Sequence, residues 1–179
     1  MAYTEPIIGK YIDLRCAEID DAQFTLDIRQ DDEFVKYLPR IENTLEQQKT
    51  WLKKQRNTEG DYFFVVWDKQ GNRLGTISVS EIFENNPKAG RLALKGNALQ
   101  NLEAQYLIFA FAFDSLGVNS LCGFIYAENI RAIRFAQQFG VTLYEEKMDE
   151  NHRLIRDVVF FKKDFKEKEN FLKKMIYRK

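Results

Sequence analysis

Histidine is nearly missing from this chain, with one residue, His152, among 179. Cysteine is almost as scarce: Cys16 and Cys122 stand far apart, in no Cys-x-x-Cys pair and no Cys/His group. A structural zinc site draws its ligands from such groups, so no metal is expected. The two thiols read as buried residues in a reducing compartment. An excess of charge is lacking too, because 27 Lys+Arg cancel 27 Asp+Glu. Without a net field, neither nucleic acid nor an anionic membrane is an expected partner. The longest apolar stretch, residues 107–113, falls far short of the roughly 20 residues a membrane-spanning helix needs. The first residues lack the basic start and apolar run of a secretory signal, and a cytoplasmic protein is expected.

What is present describes a globular core. Hydrophobic residues make up 45% and charged residues 30%, with 15 Phe and 8 Tyr, so the core should be rich in aromatic rings. No repeat, low-complexity tract or linker interrupts the chain. One domain is expected over residues 1–179, ending in a basic, partly amphipathic tail at about 164–179.

Residues 11–17 alternate as a strand does. Asp20 and Asp21 suit the start of a helix over 22–28. Thr44-x-x-Gln47 is a capping box opening a helix to about Arg56. Residues 62–68 (YFFVVWD) are dense in aromatic and β-branched types and read as a buried strand. With strands over 73–82 and 90–95 they form a meander. Residues 99–116 are apolar nearly all round, as in a buried helix, which Gly117 ends. A strand over 121–126, a helix over 129–139 stopped by Gly140, and a strand pair over 142–147 and 154–162 complete the chain. The order β-α-α-β-β-β-α-β-α-β-β predicts a mixed α/β domain on one central sheet.

Within residues 90–140 stand, in order, the helix end Ala112-Phe113-x-x-Leu116-Gly117, the strand-to-helix step Asn129-x-x-Ala132-Ile133, and Phe139-Gly140-Val141. With these features the stretch resembles the GNAT superfamily of N-acetyltransferases. Upstream, Leu14-Arg15, Ile28-Arg29-x-Asp31, Tyr37-Leu38, Gln48-x-x-Trp51 and Leu74-Gly75-Thr76-Ile77 look like the branch holding ribosomal-protein alanine and nucleotide-sugar N-acetyltransferases. No single motif is specific, but the ordered set covers about residues 8–165. The resemblance implies a single, mostly antiparallel sheet flanked by helices on both faces. It also implies acetyl-CoA as co-substrate and a small-molecule or peptide amine as acceptor. A homodimer is compatible with it.

Direct attack of an amine on a thioester needs a phosphate cradle, a carbonyl polariser, a proton acceptor and a proton for the departing thiolate. By resemblance, Leu92 and Leu94 line the pantetheine path. Gly96, Asn97, Leu99, Gln100 and Asn101 form the pyrophosphate loop, either with backbone amides turned to phosphate or with Asn97 and Gln100 merely capping the helix. The loop is shorter and poorer in glycine than the family pattern. Asn129, Ala132 and Phe135 meet the pantetheine arm from the following helix. Glu81, with Glu84 behind it, is the expected base. The position of the family's acidic Tyr is Ala136, so Tyr126 or Tyr144 stands in as the acid, or water protonates the thiolate. Arg29, Asp31, Tyr37 and Trp51 line the acceptor side, where Arg suits a phosphate or carboxylate and aromatics suit a sugar face. A rival expectation is a binding module without turnover, favoured by the loop and Ala136 and opposed by Asn129 and Glu81. His152, in a polar turn, is assigned no role.

Overall fold

The structure, a computed structural model, describes residues 3, 5–38 and 41–178. Parts of the N-terminus and the last residue of the basic tail thus lie outside the described residues. Among the described residues eight strands form one sheet: β1 (Ile7–Ile8), β2 (Ile12–Cys16), β3 (Tyr62–Asp68), β4 (Arg73–Ser80), β5 (Lys88–Leu94), β6 (Ser120–Tyr126), β7 (Val141–Met148) and β8 (Leu154–Phe161). Their order is β1-β2-β3-β4-β5-β6-β8-β7. All neighbours are antiparallel except β5 and β6. This is the mixed α/β architecture expected, with a short β1 added at the edge.

The helices are α1 (Ala22–Gln30), α2 (Asp32–Val35), α3 (Leu45–Arg56), α4 (Ala98–Ala110), α5 (Ile130–Gln137) and α6 (Lys162–Tyr177). The capping box read at Thr44 and Gln47 is formed, with both reciprocal bonds. Asp20 and Asp21 belong to a 3-10 turn just ahead of α1. The one-turn α2 was not legible in the sequence; Asp31 caps it by accepting from the Glu33 amide. The buried run expected as one helix over 99–116 divides at Phe111. Residues Phe111–Ser115 form a π turn, with the Leu116 amide reaching the Phe111 carbonyl at 3.0 Å. The wider turn lets alternate rings pack apart: Phe109 and Phe113 meet Phe165, while Phe111 meets Tyr62 and Phe64.

The two sheet faces carry unequal cores. One bears Ala17, Phe63 and Val65, covered by Ala22 of α1 and Leu52 of α3. The other bears Leu14, Phe64, Val66, Ile77 and Val79 under α4, α5 and α6, with Phe109, Phe139 and Phe165 fully buried. Burying each such ring contributes on the order of 2–3 kcal/mol.

Two acidic residues tie the second layer together. Glu103 of α4, wholly buried, accepts from the amides of Lys10, Tyr11 and Ile12 at 2.7, 2.6 and 3.0 Å, pinning the β1–β2 turn. The tail read as basic and partly amphipathic is α6, seated by Phe165, Leu172 and Ile176. Its Glu169 meets Lys173 at 2.8 Å, Lys166 at 3.0 Å and the Tyr106 hydroxyl at 3.1 Å. Hydrogen bonding from Lys173 outweighs burial and, with Lys166 and Tyr106, holds this carboxyl at about 2. A depressed carboxyl adds stability above its unfolded value, and that stability is lost as pH falls toward the folded one. Wild type should therefore out-stabilise Glu169→Gln at pH 5, with the margin in urea midpoint shrinking as pH falls from about 4.5 toward 2. A margin independent of pH would show that the network carries no linked stability.

Candidate functional site

The sheet is continuous through β4 and β5, and again through β6, β8 and β7. Between the halves only one pair is in register, Lys88 with Cys122, supported by the Cys122 amide on the Pro87 carbonyl at 2.7 Å. Small residues mark this point: a Cβ on Gly123 would stand 3.2 Å from the Ala89 carbonyl oxygen. Beyond it the strands part. β5 runs on to Leu94 paired only with β4, and β6 to Tyr126 paired only with β8. Their inner edges carry backbone donors and acceptors without strand partners, which an extended ligand can satisfy as an added strand.

β5 is irregular beside the gap. Thr76 pairs with Ala93 but Ser78 with Gly90, so β5 holds one extra residue, and Arg91 takes φ +49. A left-handed conformation at a non-glycine residue is uncommon and costs energy. The Thr76 and Ser78 hydroxyls donate to the Arg91 and Gly90 carbonyls at 2.8 and 3.0 Å and hold the bulge. Gly75 is required here, because a Cβ would lie 2.1 Å from the Ala93 carbonyl oxygen.

Both helices that follow the parted strands start at the open end. At α4 the Asn97 oxygen accepts from the amides of Leu99 and Gln100, both at 3.0 Å, and the Gln100 side chain accepts from the Asn97 amide at 2.9 Å. Asn101 donates to the Gly96 carbonyl at 2.9 Å. Of the expected cradle, three amides are thus taken by a capping box and that of Asn101 by the Asn97 carbonyl at 2.9 Å, leaving those of Gly96 and Ala98. At α5 the Asn129 oxygen accepts from the Ala132 amide at 3.0 Å, which leaves its amide nitrogen as a donor. Ala132 and Phe135 are half-buried, as are Leu92 and Leu94 on β5. Ala136 is buried.

The segment from Asp31 to Lys36 ties the two lips of the gap. Asp31 meets Lys95 beyond β5 at 2.5 Å, and Arg153, before β8, donates to the Lys36 carbonyl at 2.8 Å and to Glu128 at 2.9 Å. Lys95 and the Glu33 amide hold the Asp31 carboxyl below the ordinary range. Tyr126 ends β6 buried, its ring 3.6 Å from the Arg153 guanidinium and edge-on to Phe124. Tyr37 is half-buried beside Lys36. Glu81 lies elsewhere. β4 ends at Ser80, before the expected end at 82, and Glu81 takes φ +56 at the closed end of the gap. Its exposed carboxylate pairs with Lys88 at 2.7 Å and stands in solvent, not in an apolar setting. Glu84, in the next turn, is exposed, as is Tyr144 on β7.

On the face covered by α1 and α3, Arg29 and Trp51 come together with a residue the sequence did not single out. Arg91 reaches back from the bulge to Asp61 with two bonds, 2.6 and 2.9 Å, and lies over Trp51 and Phe63 at 5.3 and 5.5 Å. Burial first, and the Arg91 charge second, lower the pKa of Arg29. The one sequence signal for Arg91 was a cation within the otherwise uncharged run 89–94. Among the described residues no group of three or more His, Cys, Asp or Glu could hold a metal ion, and no helix is long and apolar enough to cross a membrane.

A family model described as the acetyltransferase (GNAT) domain matches residues 12–142. A GCN5-related N-acetyltransferase from Brucella melitensis is similar in structure, with TM-score 0.79 and 17% identity over 98% of this chain and 87% of that one. A spermidine N-acetyltransferase from Vibrio cholerae, solved with CoA and spermine, gives 0.78 and 13% over 88% and 99%. FdhC, a nucleotide-linked sugar GNAT, gives 0.75 and 19% over 98% and 97%. No curated protein sequence matches the chain significantly.

The box at α4 has a measurable weight. Asn97→Ala should lower stability by about 1 kcal/mol, the usual loss for an N-cap, read as a fall in thermal midpoint. An unchanged midpoint would show that solvent or other groups satisfy those amides equally well.

Proposed function

The chain belongs to the acetyltransferase (GNAT) family, and on that premise we propose that it is an acetyl-CoA-dependent N-acetyltransferase acting on a small primary amine. A nucleotide-linked amino sugar is the first acceptor to test and a protein N-terminus the second. The observation that carries this reading is the parting of β5 and β6 after one registered pair. Acetyl-CoA bound there would supply the acetyl group as a thioester.

The residues divide the remaining work. Leu92 and Leu94 present the β5 edge to the pantetheine arm, and Asn129 donates to it from the start of α5. The Gly96 and Ala98 amides, with the positive end of α4, face the pyrophosphate. The amine approaches from the side of α1 and α3, past Arg29 and Trp51. Glu81, paired with Lys88, accepts the ammonium proton through water at the closed end of the gap. Tyr126 returns a proton to the thiolate. One specific observation favours the rival reading, a binding module without turnover: the capping box consumes most donors of the cradle.

Calorimetry with acetyl-CoA separates the two readings when combined with a thiol-release assay over amino sugars, polyamines and peptides. Binding with turnover of one acceptor class is expected; binding with none supports the module. Asn129→Ala should lose about 1 kcal/mol of stability as a cap. It should also lose roughly tenfold in acetyl-CoA affinity, the value of one hydrogen bond. Full affinity would reduce Asn129 to a cap. Glu81→Gln should lower turnover by about 10²-fold, the lower end for a general base. Turnover within about twofold of wild type across pH 6–9 would remove Glu81 and leave solvent as the proton acceptor.

A further inference from the structure

We infer that Gly90 is the floor of the acceptor subsite: the side chain it lacks leaves the room that the amine-bearing carbon of the acceptor fills, with the Phe124 ring as the facing wall. This deepens the acetyltransferase reading and rests on it.

Gly90 is the one glycine of the chain's nine for which neither backbone nor packing gives a reason. Five of the others have positive φ, and the remaining three would set a Cβ within 3.2 Å of a neighbouring atom. A Cβ on Gly90 would meet nothing within 4 Å. The bulge beside it does not require glycine there either, because its left-handed residue is Arg91. A glycine inside a strand weakens it, and outside a bulge or bend it marks the close approach of a ligand or of another backbone. No backbone approaches Gly90, which leaves a ligand.

Position identifies the ligand as the acceptor. Gly90 pairs with Ser78, whose neighbours along β4, Ile77 and Val79, belong to the core under α4. Side chains alternate along a strand, so Ser78 and Gly90 face the opposite side. Phe63, paired with Ser78, lies on that side too, under α1 and α3. On β6 the same side carries Cys122, in register with Lys88, and then Phe124. Gly90 and Phe124 each stand two residues beyond that last pair, so they come abreast where the strands begin to part. Phe124 is 48% exposed, a large ring beside an empty space. The pantetheine arm takes the backbone edges in the plane of the sheet, and the open volume over Gly90 lies out of that plane, on the side from which the amine approaches. A reacting nitrogen must come within about 3–3.5 Å of the thioester carbon, and the carbon that bears it follows into the same opening. A side chain at position 90 would occupy that volume, while the Phe124 ring offers an apolar surface to the acceptor's carbons.

The test compares wild type with Gly90→Ala, Gly90→Val and Phe124→Ala, using glucosamine, uridine-diphosphate glucosamine, spermidine and an alanyl peptide as acceptors. All three variants should keep the wild-type affinity for acetyl-CoA in calorimetry. Gly90→Ala should melt at or above the wild-type temperature, because alanine restricts the unfolded chain at a position whose φ it can adopt. For the best acceptor, kcat/KM should nevertheless fall at least about tenfold in Gly90→Ala, the effect of one extra carbon in a fitted pocket, and further in Gly90→Val. Phe124→Ala should raise KM and leave kcat nearly unchanged, as loss of uniform binding does. An unchanged kcat/KM in Gly90→Val overturns the inference, since the space is then unused. So does a loss of acetyl-CoA affinity as large as the loss of kcat/KM, which gives the space to the co-substrate. A midpoint of Gly90→Ala well below wild type overturns it as well, by showing that the fold itself needs this glycine. An unchanged KM in Phe124→Ala sinks the wall. If no amine is acetylated, the acetyltransferase reading fails separately. Calorimetry with the same four amines in the presence of CoA then decides the floor: binding weakened by Gly90→Val upholds it, and equal binding or none sinks it.

Discussion

A single registered pair, Lys88 with Cys122, joins the two halves of the sheet. A parallel junction of one row leaves two strands with unsatisfied inner edges, which a continuous sheet does not tolerate without a partner. The rest of the molecule accommodates that opening. β4, across the bulge at Arg91, and β8, in continuous register, hold the outer edges of the parted strands, and α4, α5 and α6 bury the large aromatic core beneath both halves. The gap is therefore held open by packing on either side of it.

The two ends of the gap differ chemically. At the closed end, Glu81 and Lys88 face solvent as an exposed pair. At the open end, two asparagines cap the helices that follow the parted strands, and the Asp31–Lys36 segment fastens one lip to the other. The pairs in that fastening are partly exposed, and exposed ion pairs contribute little each. The fastening is thus weak enough to yield to a ligand, whereas the three amide bonds to buried Glu103 are of the kind that lasts.

Much of the scaffold was legible because its signals are local. The Thr44–Gln47 box, the dense aromatic run of β3 and the glycine after the helix ending at Leu116 each act through a few neighbouring residues. The asparagine cap of α5 is equally local. Boundaries were read less well. β4 stops two residues early because Glu81 turns to a left-handed conformation, and that turn is selected by contacts across the sheet. The π turn at Phe111 answers to three separate aromatic neighbours, none close in sequence. The short α2 is visible only once Asp31 is seen capping it.

By itself the sequence determined the order of elements, the aromatic core, the absence of a metal-ligand pattern and the family to which the chain belongs. The first three follow from periodicity, capping chemistry and composition, which act over a few residues or over the chain as a whole; the family was read as a resemblance, from motifs standing in a fixed order. Only the tertiary structure decided which polar groups meet. Arg91 reaches Asp61 across thirty positions, and Glu81 turns toward Lys88 instead of into an apolar setting. The loop before α4 spends its amides on its own side chains. Such pairings depend on the register of strands and the aim of a bulge, quantities set by distant packing that no local pattern records.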